Sequence, residues 1–153
     1  MKIHLRNRQR HLPVRPSAIQ RLAQRLVQRA FPPDEPVALA DLTLVLVDDE
    51  AMPDYKARCF GRRVQTDVVA QAYAAIPGVP PAAELILNAQ RALVEGENHP
   101  GGPARELALY LAHGIDHLSG RRDDTPARRQ AMRRRETAWL DAMPELVREV
   151  LRP

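Results

Sequence analysis

Cysteine is almost absent: Cys59 is the only one in 153 residues. No intrachain disulfide can form, and a reducing compartment is the simple inference. No run of about 18 apolar residues occurs, so hydropathy gives no transmembrane helix. The opening segment Met1-Lys2-Ile3-His4-Leu5-Arg6 has no apolar secretory core. These absences lead to the expectation of a cytoplasmic protein with no membrane and no disulfide partner. Lysine is scarce too. Lys2 and Lys56 are the only two, so the formal net charge of +4 is carried by arginine. Arginine pairs bidentately with phosphate and stacks on bases, which suits a nucleic-acid partner. A high-GC genome, where arginine codons replace lysine codons, produces the same bias. There are no internal repeats and no low-complexity linker. A chain of this length with 44% hydrophobic residues is expected to form one domain over residues 1–153 around a single core.

Ile3 and Leu5 alternate with polar neighbours, a short strand signal. Ser17 is placed to cap a helix whose apolar residues Ile19, Leu22, Ala23, Leu26, Val27 and Ala30 recur at three and four. Pro32, Pro33 and Pro36 should end it. Leu42 to Val47 is an almost continuous apolar run, the pattern of a buried strand. Asp48-Asp49-Glu50 resembles the acidic start of a second helix, interrupted early by Pro53 and stopping at Gly61, with Arg62-Arg63 on the turn beyond. Val64 to Tyr73 reads as a strand, and Pro77 to Pro81 as a loop. Leu85 to Leu87 reads as the next strand, which Asn88 ends before a helix over Ala89–Val94. His99 sits in a loop rich in glycine and proline and reads as an exposed residue. A further helix is expected over Arg105–Leu118. Thr125 can cap the last long helix, with Pro126 at its first position. Its inner face carries Met132, Trp139 and Met143, while Arg128, Arg129, Arg133, Arg134 and Arg135 crowd the rest as a solvated face or an RNA contact. Pro144 starts a short tail helix, Leu146 to Leu151. Helices and strands without regular βαβ alternation indicate the α+β class.

The most informative stretch is Tyr110-Leu111-Ala112-His113-Gly114-Ile115-Asp116-His117-Leu118-Ser119-Gly120-Arg121-Arg122-Asp123-Asp124. His113 and His117 are four residues apart, which stacks them one turn apart on one helix face. Two imidazoles so placed can bind one metal ion, although such a pair also occurs as a surface or core feature. Gly120 lets the chain leave the helix, and Asp123 then lies where it can swing back as a third ligand. Two imidazoles and a carboxylate leave a coordination position open, as catalytic sites do. Asp116, three residues from His113, is the expected catalytic carboxylate, able to orient a ligand histidine or accept a proton. The alternative, which ranks above it on the residues alone, is an exposed acid paired with Arg121 or Arg122.

This stretch resembles the signature of the YbeY family, bacterial metal-dependent endoribonucleases that mature ribosomal RNA. That signature reads His-Gly-x-Leu-His-Leu-x-Gly-Tyr-Asp-His. His113, Gly114, His117, Leu118 and Gly120 stand at matching positions, and Asp123 stands where the usual third histidine does. Asp116 replaces a leucine, and Arg121-Arg122 replace Tyr-Asp. Val45-Leu46-Val47-Asp48-Asp49-Glu50, Thr66-Asp67-Val68, Ala83 to Asn88, and the pair Met132 and Glu136 resemble other family segments. The resemblance implies a small mixed sheet of about four strands with five to six helices packed on it, the metal helix being central. It implies one divalent metal, zinc first, on His113, His117 and Asp123. It implies ribosomal RNA and the small ribosomal subunit as partners, in RNA maturation and ribosome quality control. Arg121 and Arg122 are then expected at the cleft mouth and Arg62 and Arg63 beside it, binding phosphates around the scissile one.

Two departures bear on activity. The family commonly has an arginine six residues before the Thr-Asp-Val threonine, and this chain has Phe60 there; Val69-Ala70 replaces Leu-Ser. The second reading is therefore a metal-stabilised ribosome-binding factor that holds RNA without cutting it. A metalloprotease ranks lower, because Gly114 occupies the slot of the glutamate base in His-Glu-x-x-His. An iron oxygenase fits poorly, since both histidines share one helix.

Overall fold

The structure, a computed structural model, describes residues 1–31, 34, 39–74 and 76–153. Pro32, Pro33 and Pro36, expected to end the first helix, lie outside the described residues. In chain order the elements are β1 (Lys2–Asn7), α1 (Pro16–Ala30), β2 (Asp41–Val47), α2 (Met52–Phe60), β3 (Val68–Ala72), β4 (Ala82–Asn88), α3 (Ala89–Gly96), α4 (Gly102–Leu118), α5 (Pro126–Asp141) and α6 (Pro144–Glu149). The strands form one sheet in the order β1-β2-β4-β3. The first three pair in parallel and β3 runs antiparallel along the edge of β4. This is the mixed four-stranded α+β arrangement expected from the sequence.

The central strands show why the apolar runs are continuous: both faces of the sheet are covered. Leu42, Leu44 and Leu46 of β2 and Ala83, Leu85 and Leu87 of β4 face the larger core, with the apolar stripes of α1 and α4. Val45, Val47 and Ile86 face the other way, against Val69 and Met52. Register is pinned by this two-sided burial, with Leu44 opposite Leu85 and Leu46 opposite Leu87.

Several local expectations are corrected. Ser17 does not cap α1. Pro16 takes the first turn, and Arg15 is the boundary residue with no side-chain cap. Pro53 does not interrupt α2 but lies in its first turn, where a missing N–H costs nothing. Gly61 does end that helix, at φ 71°. The strand expected from Val64 begins only at Val68. Asn88, fully buried, explains the shortening: its Nδ2 donates to Asp49 Oδ1 at 2.8 Å and to Gln65 Oε1 at 3.2 Å, holding the preceding segment by a side chain instead of a ladder. Its Oδ1 accepts from Arg91 N at 3.0 Å, so the same residue caps α3. The metal helix starts earlier than Arg105, at Gly102; the tail helix starts at Pro144 as expected and ends at Glu149, short of Leu151.

Thr125 caps α5 as expected, accepting from Arg128 N at 3.1 Å. The inner stripe of α5 is Met132, Glu136, Trp139 and Leu140, spaced as one helical face. Trp139 is only 8% exposed within the main core. Trp139→Ala is expected to cost about 3–5 kcal/mol, as loss of a buried aromatic does, read as a lower urea midpoint.

Candidate metal centre and cleft

Helix α4 delivers both histidines from a buried position. Leu107, Leu111 and Ile115 anchor it to the core. Gly114 permits close approach to the sheet: a Cβ there would stand 2.9 Å from Leu85 Cδ2 and 3.2 Å from Val68 Cγ2. The helix ends at Leu118, and Gly120, at φ 99°, turns the chain so that Asp123 comes back toward the histidines.

The three expected ligands converge. His113 Nε2 and His117 Nε2 are 3.0 Å apart, and Asp123 Oδ2 lies 3.6 Å and 3.4 Å from them. Among the described residues these three form the group able to hold a metal ion. Of the two neighbouring carboxylates, Asp123 joins the histidines, while Asp124 turns outward to Arg128 at 2.7 Å. The Arg128 hydrogen bond holds the Asp124 carboxyl below its ordinary range. His99 stays outside the group, half-exposed and 3.4 Å from Glu106.

Hydrogen bonds fix which ring atoms are free. His117 Nδ1 is 3.2 Å from the carbonyl oxygen of Arg121, which only accepts, so Nδ1 carries the proton. His113 Nδ1 lies 3.1 Å and 3.0 Å from the two carboxylate oxygens of Glu136 and is assigned its proton in the same way. The two Nε2 atoms then face each other, and a carboxylate oxygen completes the triangle. Two ring nitrogens and a carboxylate oxygen gathered this closely form a set that one metal cation can bridge. Metal–ligand bonds of about 2.0–2.1 Å in a tetrahedral site place ligand atoms about 3.3–3.4 Å apart. The observed 3.0, 3.4 and 3.6 Å bracket that spacing, so the residues fit a divalent metal.

Glu136 was a resemblance in the sequence and emerges as a working part of the centre. It is 2% exposed, and burial raises its pKa, opposed by the hydrogen bond to His113 and reinforced by the nearby Asp116 carboxylate. For His113, burial lowers the pKa, but the Glu136 hydrogen bond and charge, with Asp123 and Asp67, more than offset it, and the net shift is upward. The signal for Glu136 was present: a carboxylate occupies an inward position of the apolar α5 stripe, and a buried charge needs a partner.

Asp116, the expected catalytic carboxylate, is placed elsewhere. It has no exposed surface. Arg135 Nε and Nη2 donate to its two oxygens at 3.2 and 3.0 Å, and Arg121 Nη1 donates to Oδ1 at 3.1 Å. It is paired with Arg121, as the alternative reading had it, but buried rather than exposed. Arg121, expected at the cleft mouth, turns inward: the same Nη1 also reaches Ala30 O and Ser119 Oγ, each at 3.0 Å. Arg122 is exposed, as are Arg62 and Arg63, and Arg63 pairs with Asp54.

Two cavities flank the centre. One, of about 240 Å³, is bordered by Asp67, Tyr110, His113, Asp123, Arg129, Arg133 and Glu136. The other, of about 370 Å³, is bordered by Lys56, Phe60, Thr66, Val68 and Ala70 together with His113, His117 and Asp123. Arg129 and Arg133 thus join the cleft wall from the crowded arginine face of α5. Arg129 Nη1 also donates to the Asp123 carbonyl at 3.2 Å, steadying the ligand loop.

Comparison with known proteins gives a family and a fold. The family model described as Endoribonuclease YbeY matches residues 4–144. A Moorella thermoacetica protein described as Endoribonuclease YbeY is 29% identical over 150 residues, covering 92% of this chain and 96% of that protein. The solution structure of a Thermotoga maritima protein superposes with a TM-score of 0.56 at 14% identity, covering 93% of this chain and 91% of the other, a likeness of fold.

Proposed function

Because the chain belongs to the YbeY family of endoribonucleases, we propose that it is a metal-dependent endoribonuclease acting on single-stranded RNA, ribosomal RNA foremost. The observation that carries this reading is the triangle of His113 Nε2, His117 Nε2 and Asp123 Oδ2 at the meeting of two cavities. A divalent cation bound there supplies a Lewis acid that polarises a phosphoryl oxygen and activates water. Two nitrogens and one oxygen suit zinc, and the carboxylate in place of a third imidazole widens tolerance toward harder ions such as manganese.

The remaining work falls to the chain's own residues. Glu136 and the Arg121 carbonyl hold the two imidazoles in the tautomer that leaves Nε2 free. Arg129 and Arg133 on one side and Lys56 on the other supply positive charge for phosphates along the strand, with the exposed Arg62 and Arg122 as further cations for it. Arg121 and Asp116 serve this site by positioning α4 and the ligand loop. We place the protein with the small ribosomal subunit in the cytoplasm, in ribosomal RNA maturation and ribosome quality control. Among the described residues no helix is long and apolar enough to cross a membrane.

A second reading shares the same centre: a metal-stabilised ribosome-binding factor that does not cut, favoured by an aromatic, Phe60, at the cavity wall. One assay separates them. Purified protein is incubated with single-stranded and structured RNA, with and without a chelator. The enzyme gives cleavage that the chelator stops and that His117→Ala lacks. Salt-sensitive binding with no cleavage under zinc, manganese or magnesium leaves the factor standing.

A further inference from the structure

Phe60 is the last residue of α2, and it is 51% exposed. Only 4% of the chain is aromatic, and Phe60 borders the same cavity as His113, His117 and Asp123. Lys56, one helical turn earlier, places its ammonium 4.6 Å from the ring centroid, within cation–π range. Gly61 then turns the chain away in the left-handed region. The cations around it are not equivalent. Arg58 is bound to Glu84 at 2.6 Å and Arg63 to Asp54. Among the described residues no carboxylate pairs with Lys56 or Arg62, which leaves both for a ligand.

An exposed aromatic ring with an ammonium over one face, at the wall of a cleft holding metal ligands, leaves its other face for a base and matches what an unpaired nucleotide needs. Every base has a π-face, so stacking is tolerant of sequence. A base inside a duplex is already stacked and cannot use such a ring. We propose that Phe60 is the stacking platform for one unpaired nucleobase of the RNA, and that Lys56 binds the phosphate attached to it. This rests on the endoribonuclease reading and adds a source for single-strand preference. The subsite selects unpaired RNA without selecting its sequence.

The test measures equilibrium binding of the zinc-loaded protein to a fluorescent 2′-O-methyl phosphorothioate oligoribonucleotide, chosen to resist cleavage. The oligonucleotide is used single-stranded and as a duplex of the same sequence. Phe60→Leu keeps an apolar side chain and removes the π-face. It is expected to weaken single-strand binding on the order of tenfold, within the range seen when a base-stacking aromatic is removed, and to leave duplex binding unchanged. Phe60→Trp is expected to restore affinity, with its indole emission quenched on binding. Lys56→Gln is expected to weaken binding and flatten its salt dependence. Urea melts of Phe60→Leu should match the wild type, since the ring is half in water. If Phe60→Leu binds single strands like wild type, or loses the same factor on the duplex, the stacking platform is wrong and the nuclease reading is untouched. If wild type binds no single strand at all, both fall. If Phe60→Leu loses affinity but no divalent metal supports cleavage, the platform stands and catalysis falls.

Discussion

His117→Ala is expected to lower zinc affinity by about 100-fold and to abolish cleavage at metal concentrations that saturate the wild type. Structural zinc sites gain about 10–16 kcal/mol from four protein ligands. One ligand is therefore worth on the order of 3 kcal/mol, which is roughly 100-fold in affinity. His113→Ala should behave alike, and should also leave the buried Glu136 carboxylate without its hydrogen-bond donor. Asp123→Ala should weaken binding, whereas Asp124→Ala should not, because Asp124 is turned out to Arg128. Glu136→Gln tests the outer support. It keeps the shape but no longer demands a proton on His113 Nδ1, and such partners typically account for about 10–100-fold in metal affinity. Titration of the apo-protein against a zinc-sensitive competitor dye reads all five variants without relying on activity. Wild-type affinity in His117→Ala, or loss of zinc in Asp124→Ala alone, would overturn the ligand assignment.

What could be read from the sequence was local in origin. The i, i+4 histidine pair and Gly120 lie on one helix and its exit, so spacing alone brings Asp123 within reach. The apolar runs of β2 and β4 were legible because the two-sided burial of parallel strands leaves no polar alternation. The parts that were not legible depend on residues far apart in sequence. Asn88 replaces ladder bonds across 23 residues, which shortens β3 and cannot be seen in the β-prone run from Val64. Adjacency to Asp123 predicts Arg121 at the cleft. The fold turns it toward Ala30, 91 residues away, where an orphan helix-end carbonyl needs a donor. Glu136 carried a readable hint in its inward position on α5, but its partner, 23 residues back on another helix, did not.

Asp116→Ala is expected to destabilise the protein by about 2–4 kcal/mol while leaving all three metal ligands present. Its carboxylate has no exposed surface and is shared by Arg135 and Arg121. Removing one member of a buried ion pair costs about 3–5 kcal/mol, because the partner charge is left uncompensated. The figure is lower here since both guanidinium side chains keep about a third of their surface in water and are partly rehydrated. Asp116→Asn keeps one acceptor oxygen and should lose roughly half as much. Combining Asp116→Ala with Arg135→Ala should cost less than the sum of the single changes, since each deletes the same contacts. A proton-transferring residue would behave differently: Asp116→Asn would hold its melting midpoint and lose cleavage. Urea melts give the stability of each variant, and cleavage per folded molecule at a temperature where all are native gives its chemistry. The burial and the two guanidinium partners favour the first outcome, in which Asp116 binds α4 to α5 and keeps Glu136 and His113 in register.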